Sequence, residues 1–68
     1  MIRLKLREVL ESRGMSQMEL SRRSDVSLTT IQRMCNKPDE YKPSIDVIDR
    51  LARALNVSVY DLYEHVDK

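Results

Sequence analysis

The chain has 68 residues, with 12 Lys and Arg against 11 Asp and Glu, one glycine and two prolines. That length fits a single domain, residues 1–68, with one small core, and scarce Gly and Pro with aliphatic residues at helical spacing predict an all-α protein. No apolar run approaches the ~18 residues that span a bilayer and no signal-type segment opens the chain, so a cytoplasmic protein with no membrane partner is expected.

The lone Cys35 and lone His65 exclude an internal disulfide and a Cys/His zinc cluster. Charge is unevenly spread. Residues 1–37 hold eight basic side chains against four acids, a balance of +4, and the remainder holds four against seven, −3. This polarity suits a nucleic-acid partner, although solvated helices would account for it equally well.

Met1 to Leu6 alternates apolar and basic residues, which predicts a strand or extended arm over Ile2–Lys5. The competing view is one helix from Ile2 onward. A strand needs a partner, and Tyr63–Val66 is the only candidate, so pairing of the two chain ends is expected. Helix 1 follows over Leu6–Arg13, stopped by Gly14.

From Met15 to Asn36 two short amphipathic helices are joined by a tight break. Ser16 caps helix 2, about Gln17–Arg23, with Glu19 placed to close a capping box and Met15 and Leu20 to staple the entry. Its inner side is predicted as Leu20 and Ser21, helped by Met18 or Ser24. Ser24 and Asp25 end it, since Asp tolerates a left-handed conformation. Val26 to Ile31 repeats the cap signature and starts helix 3, about residues 28–35. At about 100° per residue, Thr30, Ile31 and Met34 share one side. Leu28, Thr29, Gln32, Arg33 and Asn36 share the other. Two helices with so short a turn make a helix-turn-helix.

Lys37 to Pro43 reads as a loop. Ser44 caps helix 4, with an apolar stripe of Ile45, Ile48, Leu51, Ala52 and Leu55, and Asn56 ends it. Val57 to Leu62 carries a third cap signature and opens a short helix 5 that buries Leu62. If that helix extends, Val59, Tyr63 and Val66 share a face and offer a dimer seam; the alternative packs them on helix 1.

No Gly-rich phosphate loop, nucleophile–base pair or metal cluster is present, so no catalytic role and no cofactor or small-molecule ligand is implied. Asp46 and Asp49 lie off the stripe and read as solvated surface. A polar helix face braced by a second helix suits the DNA major groove. There Arg33 matches guanine, Gln32 adenine, Thr29 either base, and Leu28 or the Thr29 methyl a thymine methyl. Gln17, in the first turn of helix 2, suits a phosphate. Asn36, Lys37 and Lys42 would clamp the backbone on the other flank.

Gly14 to Met34 (GMSQMELSRRSDVSLTTIQRM) resembles the Xre-type, phage-repressor-like (Cro/CI-type) helix-turn-helix DNA-binding family. Pro43-Ser44-Ile45 and Leu51 to Leu62 resemble its fourth helix and the start of its fifth. The resemblance implies a five-helix repressor-like domain, with the terminal strands as a possible addition, that regulates transcription sequence-specifically on double-stranded DNA, commonly as a homodimer on a palindrome. It also implies that Gln17 contacts phosphate and that Ser27, Leu28, Thr29 and Arg33 approach bases, although Ser27 is assigned here to phosphate. Ser21 and Asp25 stand where the family usually has Ala and a small residue, so the turn is expected to pack differently. Lys37-Pro38 replaces the usual glycine after helix 3. With no effector or oligomerisation domain after residue 68, a bare DNA-binding module, or one regulated by a partner, is expected. The alternative is a protein-interaction module on the same scaffold, antitoxin-like or an assembly adaptor.

Overall fold

Serine hydroxyls start three of the four α-helices, and left-handed residues stop three of them. The computed structural model describes residues 1–67. In order the elements are β1 (Ile2–Leu4), α1 (Leu6–Arg13), α2 (Gln17–Ser24), α3 (Leu28–Asn36), α4 (Ile45–Leu55), a 3-10 helix (Val59–Leu62) and β2 (Tyr63–His65). Ser16, Ser27 and Ser44 accept the backbone N–H of Glu19, Thr30 and Val47 at 3.1, 3.2 and 3.2 Å. Each satisfies one donor that a helix start leaves free. Gly14, Asp25 and Asn56 end α1, α2 and α4 at φ 64°, 61° and 58°. The end of α3 differs, because Lys37 is not left-handed (φ −131°).

The expected helix 5 is instead a single 3-10 turn, so the described residues form four α-helices and a two-stranded sheet, not five helices. Ser58 and Asp61 do form the capping box, with the Ser58 N–H donating to Asp61 Oδ2 at 3.0 Å. One turn later Tyr63 is already extended at φ −151°. There the chain is captured by β1, antiparallel, with Ile2 opposite His65, Arg3 opposite Glu64 and Leu4 opposite Tyr63. The pairing of the chain ends is therefore present, one residue shorter at each strand than expected, and a single helix from Ile2 is not. With Tyr63 in a strand, Val59, Tyr63 and Val66 share no helical face.

The core holds Leu4, Leu6, Leu10, Leu20, Val26, Ile31, Met34, Cys35, Leu51, Ala52, Leu55 and Leu62. Within α2 the buried pair is Leu20 and Ser24, while Met18 is 61% exposed. Ser24 Oγ donates to the Leu20 carbonyl at 2.7 Å and accepts the Val26 N–H at 3.3 Å. Ser21, only half-buried, donates to the Val26 carbonyl at 2.7 Å. Two serines of α2 thus satisfy both backbone groups of Val26. This is how the turn is held with Ser21 and Asp25 in place of smaller residues. The Ser16 capping box is half-made, because the Glu19 carboxylate pairs with Arg23 at 2.8 Å instead.

The sheet also anchors the loop after α3. The Leu4 N–H donates to the Pro38 carbonyl at 2.9 Å. Arg3 reaches Glu64 on β2, Glu8 on α1 at 3.3 Å and Asp39 in the loop at 3.9 Å.

Asp25→Ala keeps a Cβ at positive φ and should lower stability in urea denaturation by about 1 kcal/mol, whereas Asp25→Gly should be neutral or stabilising. Both variants remove the carboxylate, whose pair with Arg50 at 3.9 Å is worth little because Asp25 is 98% exposed. Equal losses in the two variants would mean that the carboxylate, not the backbone, matters. For Cys35, burial pushes the thiol pKa up, against the opposing pull of Arg7. It should resist alkylation near neutral pH in the folded chain and react rapidly in denaturant.

Candidate nucleic-acid interface

The rotation of α3 about its own axis follows from its apolar residues. Ile31 and Met34 are fully buried and Cys35 nearly so, and α3 packs against both α1 and α2. Cys35 lies between Ile31 and Leu28 around the helix and widens the inward face beyond the expected residues. Thr29, Gln32, Arg33 and Asn36 are left exposed, and Leu28 is half-buried at the margin. Ser27 is exposed, but its hydroxyl is engaged as the cap and donates to Thr30 Oγ1 at 2.9 Å. What Ser27 offers a ligand is its main chain, beside the first-turn N–H groups of α3.

Gln17 occupies the first position of α2 and is half-buried. Beside it the first-turn N–H groups point out of the helix at its positive end. At the far end of α3, Arg33 and Lys37 come together with Glu40 and Tyr41 around a shallow depression of about 350 Å³. Lys42 does not join them; it lines a separate apolar groove with Ile2, Leu4 and Tyr63. Asn36 is not free at its oxygen, since Arg7 Nη2 donates to Asn36 Oδ1 at 3.0 Å.

Arg7 was not among the expected site residues. It adds an exposed cation where the carbonyl end of α3 is negative, and 29 residues separate it from Asn36, so nothing in local spacing reveals the contact. Only its position on the exposed face of helix 1, one residue after Leu6, could have drawn notice.

The charges sort by location. In α4, Arg50 pairs with Asp46 at 3.0 Å and Arg53 with Asp49 at 3.1 Å, so these carboxylates are taken up in helical i,i+4 pairs. Among the described residues, Arg7, Arg22, Arg33, Lys37 and Lys42 have no carboxylate within 4.0 Å. Unpaired cations therefore lie on α1, α2, α3 and the following loop, although Glu11 and Glu40 on the same elements are, among the described residues, unpaired too. Such a surface attracts polyanions at long range. Among the described residues no group of His, Cys, Asp and Glu is arranged to hold a metal ion, and no helix is long and apolar enough to cross a membrane.

No curated protein matches the chain. Among solved structures, one described as "a putative DNA-binding protein from Bacteroides fragilis" is similar, with a TM-score of 0.81 and 26% sequence identity. The match covers 94% of this chain and 100% of that chain. The Cro/C1-type HTH DNA-binding domain family matches over residues 5–68. The chain belongs to that helix-turn-helix family.

Proposed function

We propose that this chain, residues 1–68 acting as one cytoplasmic module, binds duplex DNA in a sequence-specific way and regulates transcription. The observation that carries the reading is the exposed stripe of Thr29, Gln32 and Arg33 on a helix whose opposite side is fully buried. The major groove is about 12 Å wide and admits one such helix. In this reading Arg33 bonds guanine at two points, Gln32 reads adenine, and Thr29 and Leu28 meet either base edges or a thymine methyl. Gln17, Ser27, Asn36, Lys37 and Lys42 engage phosphates, Ser27 through its main chain and Asn36 through its amide nitrogen. Arg7 joins them. Phosphate contacts set the register and base contacts the sequence. The protein binds as a homodimer on a palindrome, with half-sites about one helical turn, ~34 Å, apart.

A second reading, a protein-interaction module of antitoxin or adaptor type, draws on apolar surface away from α3, where Ile45 and Tyr60 are exposed. Salt separates the two. DNA affinity should fall steeply between low and moderate salt as counterion release loses its advantage, whereas an apolar protein interface should be insensitive.

Selection from random duplex DNA should return a defined, two-fold symmetric site. Failure to enrich any sequence, together with salt-insensitive binding to a protein, would favour the second reading. On the selected site, Arg33→Ala should cost about 1–3 kcal/mol and relax preference at one base position. Gln17→Ala should weaken binding to all sequences alike. An Arg33 variant that loses equally on specific and random DNA would remove Arg33 as a base reader.

A further inference from the structure

Of the four α-helices only α3 ends without a left-handed residue: Lys37 stands at φ −131° and a proline follows it. The turn beyond folds on itself, since the Glu40 and Tyr41 N–H groups both donate to the Lys37 carbonyl, at 3.1 and 3.0 Å. Its direction away from α3 is held from outside. The Leu4 N–H donates to the Pro38 carbonyl at 2.9 Å, and beside that bond Arg3 Nε lies 3.9 Å from Asp39 Oδ1. Two neighbouring residues of β1 thus grip two neighbouring residues of the loop, one through the main chain and one through charge.

Arg3 carries more than that pair. Its guanidinium also meets Glu8 of α1, at 3.3 Å, and Glu64 of β2. Carboxylates from α1, β2 and the loop therefore surround one cation, whose planar fork of donors can serve several acids at once. Any one of these exposed pairs would hold little. Their convergence matters, because without Arg3 the acids at positions 8, 39 and 64 would face one another, and like charges repel. The loop anchored at Asp39 also carries Lys37, and its Glu40 and Tyr41 wall the depression that holds Arg33. A loop released from Arg3 would misplace Lys37 and leave the Asp39 carboxylate without its counter-charge beside the proposed phosphate contacts.

We infer that Arg3 is a positioning residue for DNA binding: it contacts no DNA, but through Asp39 it fixes the loop after α3 and cancels a negative charge near Lys37. This role rests on the function proposed above. The hold of Arg3 on the loop does not.

Amide hydrogen exchange on the DNA-free chain, together with DNA binding by the same variants, tests the inference. In Arg3→Gln the Leu4, Glu40 and Tyr41 amides should exchange at least about threefold faster, while those of α2 and α4 keep their protection. The variant should bind specific and random DNA about two- to tenfold more weakly. The salt dependence should not change, because no phosphate contact is lost. In an Asp39→Asn background, Arg3→Gln should have no further effect on affinity. Glu64→Gln removes the cross-strand pair but leaves Arg3 on Asp39, and should bind DNA as the natural chain does. Equal losses in Arg3→Gln and Glu64→Gln would place the effect in the sheet and overturn the inference. Additive losses in the Arg3 and Asp39 variants would also overturn it, as would a salt slope smaller by about one, which would make Arg3 itself a phosphate contact. Loop amides that exchange as before show that Arg3 does not hold the loop. Should Arg3→Gln not fold, Asp39→Lys turns the pair into a repulsion, leaves the sheet alone and should speed the same exchange; unchanged exchange there is equally fatal. A natural chain that binds no duplex DNA overturns the proposed function and the positioning role with it, while the exchange rates still decide whether Arg3 holds the loop.

Discussion

Full burial of Ile31 and Met34 is the constraint on which the outward surface depends. A nine-residue helix is too short to persist alone in water, so α3 exists because these side chains and Cys35 are packed against α1 and α2. Rotating α3 far enough to hide Arg33 would bring Met34 or Ile31 toward water, at about 1.5–3 kcal/mol for each side chain exposed. The pose of Thr29, Gln32 and Arg33 is thus set by residues they never touch. The serine contacts to Val26 serve the same end, because they fix the angle at which α3 leaves α2.

Electrostatics and topology act together at the far end of α3. The α4 arginines are neutralised along their own helix, while the cations of α3 and the loop are not. That loop is held by main-chain and side-chain contacts from β1, through Leu4 and Arg3. The two chain ends, by pairing, therefore reach the flank of the proposed DNA surface.

Much of this was legible in the residue order. Ser16, Ser27, Ser44 and Ser58 mark helix starts because a hydroxyl at that position answers a free N–H. Gly14, Asp25 and Asn56 mark stops because few residues tolerate positive φ. The division of α3 into a buried and an exposed side follows from its 3.6-residue period, although Cys35 was missing from the inner side. The site itself was legible only as residue types on a face. Their engagement with neighbours was not: Asn36 is held by Arg7, the Ser27 hydroxyl is spent on Thr30, and Lys42 borders a different cavity.

The boundary runs between local and long-range interactions. Caps, stops and helix faces are settled within four or five residues, where the chain's own stereochemistry acts, and the order of residues was enough to read them. The fifth helix fails for the opposite reason. Val57 to Leu62 carries a valid start, and only β1, some 60 positions earlier, makes Tyr63 extended and ends the helix after one turn. Arg7 with Asn36, Arg3 with Glu64, and the groove between α4 and the sheet likewise join parts of the chain that no periodicity relates. They come into being when the core closes and brings distant segments into contact.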